Sequence, residues 1–112
     1  MKVVVSYADG SWTDRLAGRR VTLDIEAGTP TLTIELASRA RARAAEVAEF
    51  LRKRNRVESV QIAKRAVRKR LRAMLLAIDT PAFSVKLSAA GHNAVYPASV
   101  VFGPDAITLN LG

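Results

Sequence analysis

Two stretches of strict alternation stand out along the chain. Val21, Leu23 and Ile25 interleave with Arg20, Thr22, Asp24 and Glu26, and Leu32, Ile34 and Leu36 interleave with Thr31, Thr33 and Glu35. A period of two predicts strands with one apolar and one polar face, and Ala27-Gly28-Thr29-Pro30 supplies the turn between them. Upstream, Val3, Val5 and Tyr7 alternate with Val4, Ser6 and Ala8 before Asp9-Gly10, a pair that favours a two-residue hairpin turn. That turn would set Tyr7 opposite Trp12 on a return strand ending near Leu16, followed by a turn at Ala17-Gly18-Arg19. The first third of the chain therefore reads as four antiparallel strands.

From Ser38 to Ile78 the period lengthens. Ala40, Ala44, Val47 and Leu51, then Val60, Ala63, Val67, Leu71, Met74 and Ile78, recur at spacings of three and four, the stripe of a helix packed on a core. One helix of this length would run about 60 Å, so the pattern predicts a pair broken at Arg54 to Arg56. Asn55 would be the N-cap of the second helix and Glu58 its capping-box partner. Asp79-Thr80-Pro81 ends the helical region, because a residue before proline is pushed out of the α conformation.

Three further strands complete the chain. The first carries Phe83, Val85 and Leu87. A loop at Ala90 to Asn93 leads to the second, which runs from Val95 to Phe102 and is interrupted by Pro97. The third carries Ile107, Leu109 and Leu111 beyond Gly103-Pro104-Asp105. Pro97 cannot donate to a ladder, which points to an edge strand or a bulge. The predicted architecture is a single α+β domain over residues 1–112: a four-stranded antiparallel meander, a central α-helical hairpin and three more antiparallel strands. A length of 112 residues suits one core, and 49% apolar with 25% charged residues is ordinary globular usage.

Charge changes this picture more than composition does. The net charge is +8, and residues 37–78 hold thirteen Lys or Arg against Glu46, Glu49 and Glu58, a net of +10. The remainder, five basic against seven acidic, is slightly negative. On a helical wheel Lys64, Arg65, Arg68, Lys69 and Arg72 fall within an arc of about 140°, opposite the apolar stripe. Three like-charge pairs at i and i+4 (64/68, 65/69 and 68/72) would cost about 1 kcal/mol in total. Arg52, Lys53, Arg54 and Arg56 add a second cluster at the predicted break. Arg70 falls outside the arc, at the edge of the apolar stripe, where Glu35 or Asp24 could pair with it.

Clustered guanidinium groups suit phosphate oxygens, whereas the scarcity of Asn and Gln argues against base-edge readout. The expected function is thus a non-enzymatic nucleic-acid-binding accessory domain making phosphate-backbone contacts through Lys64, Arg65, Arg68, Lys69 and Arg72, extended by Arg52, Lys53, Arg54 and Arg56. The expected partner is DNA or RNA. The alternative is a protein-interaction or inhibitor module, of phage or mobile-element type, that docks its basic helices on an acidic protein or self-associates through an exposed sheet edge. No aromatic is interleaved with the basic run. Tyr7, Trp12 and Tyr96 are the residues that could share a stacking platform on a sheet face.

Catalysis and cofactors find little footing. His92 is the only histidine and there is no cysteine, so neither a metal site nor a catalytic triad can be assembled from the usual groups. Asp24, Glu26 and Glu35 alternate with threonines as on a solvated sheet, and the glycines are scattered singly rather than gathered into a phosphate loop. The apolar run at the N-terminus is too short for a secretory signal and nothing approaches a membrane-spanning length, so the expected compartment is the cytoplasm.

Overall fold

β-Branched side chains at alternate positions pack well on a pleated surface and lose freedom in a helix. In the computed structural model, which describes residues 1–26, 28–38, 44–78 and 82–112, that preference prevails over more than half of the described chain. The elements are β1 (Lys2–Tyr7), β2 (Trp12–Asp24), β3 (Thr31–Ser38), α1 (Ala44–Lys53), a 3-10 turn (Arg54–Arg56), β4 (Val57–Ile62), α2 (Arg65–Leu76), β5 (Phe83–Ala89), β6 (His92–Phe102) and β7 (Ile107–Leu111). The strands close into a seven-stranded barrel in the order β1-β2-β3-β5-β6-β7-β4. Val3, Val5, Ile34, Val60, Val85 and Leu109 are among the fully buried residues that fill it, while Ser84, Lys86, Thr108 and Asn110 look outward.

The α+β architecture with a central helical hairpin is therefore corrected to a mostly-β barrel carrying two short helices, and a basic helix is not its organising element. The decisive residues are Val57 to Ile62. The chain does break at Arg54 to Arg56, but the next element is a strand hydrogen-bonded between β1 and β7. The β1 ladder shifts register between Tyr7↔Val57 and Ser6↔Ser59. This irregularity places Glu58 outside and brings Val57 and Val60, three residues apart, both into the core. A bulged strand thus imitates the spacing of a helix. Asn55 lies within the 3-10 turn and Glu58 on the barrel wall, so no capping box forms.

Two other expected turns also resolve differently. Ala17-Gly18-Arg19 does not end a strand: β2 runs through it, pairing with β1 over residues 12–17 and with β3 over residues 16–24, with a register shift between Gly18 and Arg20. A Cβ at Gly18 would lie 2.5 Å from the terminal methyl of Met1, so a larger residue there would displace that side chain. The β1–β2 hairpin closes through three residues, with Tyr7 N donating to Ser11 O at 2.9 Å and Gly10 at φ +87°. The longer loop sets Ser6, not Tyr7, opposite Trp12. Because side chains alternate, Tyr7 is 2% exposed in the core while Trp12 is 64% exposed outside.

The hairpin of residues 20–35 forms as its alternation predicts, except that β2 stops at Asp24 and leaves Ile25, expected on the apolar face, 67% exposed. Ala90-Gly91, both at positive φ, make a two-residue turn that takes His92 and Asn93 into β6 rather than a loop. Pro97 sits where β6 passes from the β5 ladder to the β7 ladder. β3 and β5 pair in parallel, Ile34 against Leu87, which requires a crossover, and α1, β4 and α2 all lie within it. Closure gives each strand two neighbours, although residues 18–24 of β2 pair only with β3 and residues 92–96 of β6 only with β5.

The helices plug the two ends. α1 inserts Phe50 near the β1–β2 turn, and α2 inserts Leu71 and Leu75 near the β6–β7 turn. In α2 the buried residues are Leu71 and Leu75, whereas Ala63, assigned to the core stripe, is exposed before the helix begins. Among the described residues no helix is long and apolar enough to cross a membrane. The expected helix stop at residues 79–81, and Ala40, Arg39, Arg41 and Arg43, lie outside the described residues.

Candidate nucleic-acid interface

A helix lying across a barrel end must turn its apolar side inward, and the sequence of α2 then decides what the other side carries. Leu71 and Leu75 are buried; Arg65, Lys69, Arg70 and Arg72 are exposed, and α2 contains no carboxylate. Arg65, Arg68, Lys69 and Arg72 line one side of a cleft of about 410 Å³. The other side is the end of β6 and the following turn: Phe102, Gly103, Pro104 and Ile107.

Two of these arginines are held in place. Arg68 Nε donates to the Ala63 carbonyl at 2.9 Å, and its Nη1 donates to the Pro104 carbonyl at 2.8 Å. The side chain therefore ties the start of α2 to the β6–β7 turn. These bonds offset the like-charge repulsion that the 64/68 and 68/72 spacings impose. The Arg72 guanidinium lies 5.2 Å from the centroid of the Phe102 ring, a cation–π contact. The one carboxylate next to the cleft in sequence is the exposed Asp105.

The predicted arc is thus divided. Lys64, just before α2, lines a separate recess of about 170 Å³ with Arg19, Arg20, Arg70 and Met1. Glu35, offered as a partner for Arg70, pairs with Arg20 at 3.6 Å instead.

The cluster at 52–56 lies at the far end of β4, about 20 Å away for six extended residues. Much of its charge is used within the fold. Arg52 makes a bidentate pair with Glu49, the shortest distance being 2.7 Å. Lys53, its side chain 15% exposed, reaches Asp9 at 3.2 Å, Glu49 at 3.1 Å and the Ser11 hydroxyl at 3.0 Å, and lies 5.2 Å from the centroid of the Tyr7 ring. Arg54 donates to the Leu51 carbonyl at 2.5 Å, and its own carbonyl accepts from the Tyr96 hydroxyl. Arg56 is exposed, with its carbonyl bonded to Ala8 N. Lys53, Arg54 and Arg56 fasten α1 and the 3-10 turn to the barrel, Arg52 bonds within α1, and none of the four lines the α2 cleft.

The same cluster sets the protein's response to pH. Hydrogen bonds from the Ser11 hydroxyl and backbone N–H, with a further one from Lys53, hold the Asp9 carboxyl down at about 2. Arg52 and then Lys53 lower Glu49. A depressed carboxylate pKa contributes stability above its unfolded value of about 4, which is lost as pH falls through the folded value. The urea midpoint is expected to drop between pH 4 and 2, and Asp9→Asn should make that drop shallower.

Tyr7 behaves in the opposite sense. Burial first, then the charge of Glu49, push its phenol up to about 12. A raised pKa favours the neutral form in the fold, so this contribution is intact below about pH 10 and is lost as pH rises toward 12. Denaturant titrations across that interval should show the loss in the wild type and much less of it in Tyr7→Phe.

The three aromatics considered for a stacking platform do not form one. Tyr7 is in the core, Tyr96 is tied to Arg54, and Trp12 stands on the outer wall. The aromatic beside the basic residues is Phe102, thirty positions from Arg72 in sequence. Apolar alternation marks it only as a strand residue. Among the described residues no group of His, Cys, Asp and Glu could hold a metal ion.

Fold and cleft together define a small closed β-barrel with a basic, part-aromatic recess at one end. Comparison with protein-family models, curated proteins and solved structures finds no match to this chain.

Proposed function

We propose that the protein is a cytoplasmic, non-enzymatic nucleic-acid-binding accessory domain that holds phosphates in the cleft between α2 and the β6–β7 turn. The observation that carries this reading is the convergence of Arg65, Arg68, Lys69 and Arg72 on one recess, beside a helix without a single carboxylate. Guanidinium groups pre-set by carbonyl and aromatic contacts lose little freedom when they take up a phosphate. An acidic protein partner draws on the same charge, but the separation of the 52–56 cluster removes the continuous two-helix surface on which that alternative depended.

Binding to a labelled oligonucleotide is expected to weaken log-linearly with salt. Four phosphate contacts on a single strand give a slope of about −3. Reversing Arg65 and Lys69 to Glu, two exposed positions without bonds to the barrel, should lower affinity about 100-fold while leaving the thermal midpoint nearly unchanged. Fluorescence anisotropy at about 50 mM salt measures this directly. Absence of binding to DNA and RNA alike under that condition would overturn the proposal.

A further inference from the structure

Resting on that reading, we infer that the cleft is a single-strand site for one nucleotide, whose phosphate sits on Arg68 and whose base stacks on the Arg72–Phe102 pair. Shape is the first reason. At about 410 Å³ the recess is within the roughly 300–1,000 Å³ of sites that enclose a small organic group. It is a concavity, with the basic residues on one wall and a ring on the other. A duplex keeps its bases stacked inside and offers a recess of this kind only phosphates. A single strand can turn a base outward without first breaking a pair.

Donor geometry is the second reason. A guanidinium has five N–H donors, and Arg68 uses two on the Ala63 and Pro104 carbonyls, which leaves three. Those two bonds fix the plane of the group at the lip of the cleft. A phosphate can then be met by a donor set that is already oriented.

The third reason is the pairing of Arg72 with Phe102. Simple charge display would leave Arg72 extended into solvent, yet it lies over a ring that the barrel half-buries. A guanidinium plane backed by an aromatic ring is a stacking surface for any base. Gly103 keeps the adjoining turn tight, since a Cβ there would lie 2.9 Å from the Ala106 carbonyl.

The test compares oligothymidine and oligouridine of about 15 nucleotides with a duplex of the same length, using wild type, Arg72→Lys and Phe102→Leu. Arg72→Lys keeps the charge and loses the planar face; Phe102→Leu keeps apolar bulk and loses the ring. Each variant is expected to bind whichever single strand the wild type prefers about tenfold more weakly. The salt slope should be unchanged, because neither substitution removes a charge, and the loss on the single strand should exceed any loss on the duplex. Preference for either the DNA or the RNA strand supports the inference. Wild-type affinity in both variants, or a duplex bound as tightly as the single strands, overturns it while leaving phosphate binding intact. Failure to bind any of the three ligands removes the proposed function itself. Should Phe102→Leu not fold, Arg72→Lys, a change at an exposed position, decides alone.

Discussion

Phe50→Ala is expected to lower the free energy of unfolding by about 3–5 kcal/mol, the range for deleting a buried aromatic side chain. Phe50 is 1% exposed and is the one fully buried residue among the described side chains of the short helix α1. Val47 and Leu51 are only partly buried against the core, and the remaining contacts of α1 are ion pairs that water screens. The Arg15–Glu46 pair reaches from α1 to an exposed guanidinium at 3.7 Å, and the Arg52–Glu49 pair lies within α1 itself, so neither ties the helix firmly to the barrel. Lys53 is better sheltered, but its partners are surface carboxylates. Removing the phenyl ring leaves a cavity in the core that those pairs cannot close. Urea denaturation should show a lower midpoint at nearly unchanged slope. At temperatures where the variant stays folded, oligonucleotide affinity should match the wild type, because the α2 cleft is at the other end of β4.

That separation is hidden in the sequence for a physical reason. Local alternation along Thr31 to Ser38, Phe83 to Ala89 and Ile107 to Leu111 reports which face of each strand is buried, and it does so correctly. It does not report the neighbour. The parallel pairing of β3 with β5 spans α1, β4 and α2, and barrel closure depends on contacts equally remote in sequence. β4 is illegible even locally, since its bulge spaces Val57 and Val60 like a helix. Gly18, a residue that commonly marks turns, here marks a bend in a continuous strand where Met1 approaches.

The site is legible in part, and along the same line. Arg65, Arg68, Lys69 and Arg72 share a helix, so a 3.6-residue period suffices to place them on one side. Lys64 joins the group on a helical wheel only because the apolar spacing of β4 extends the predicted helix upstream of its true start. Arg52 and Lys53 look free in the sequence because their partners Asp9, Ser11 and Glu49 come from a folded-back hairpin and from the helix's own preceding turn. Phe102 could be linked to Arg72 only by knowing that the β6–β7 turn returns beneath α2. Local sequence locates the charge; topology decides which groups the charge faces.

Leu71→Ala is the complementary experiment, and its effect should be of similar size but different reach. Leu71 is completely buried, with Leu75 one turn further on, and together they anchor α2 over the barrel end. Truncation of a buried leucine costs about 2–5 kcal/mol, and the upper part of that range is expected where rigid strands limit collapse around the cavity. Here stability and binding should fall together. Loosening α2 removes the fixed separation that lets Arg68 reach both the Ala63 and Pro104 carbonyls, and it frees Arg72 from the Phe102 ring. The cations would still be present but no longer aligned on one recess. Single-strand affinity measured well below the variant's melting temperature should therefore weaken several-fold, with little change in the salt slope because no charge is lost. Phe50→Ala destabilises without that loss of affinity, and the contrast between the two variants measures how far binding depends on the placement of α2 rather than on its charge.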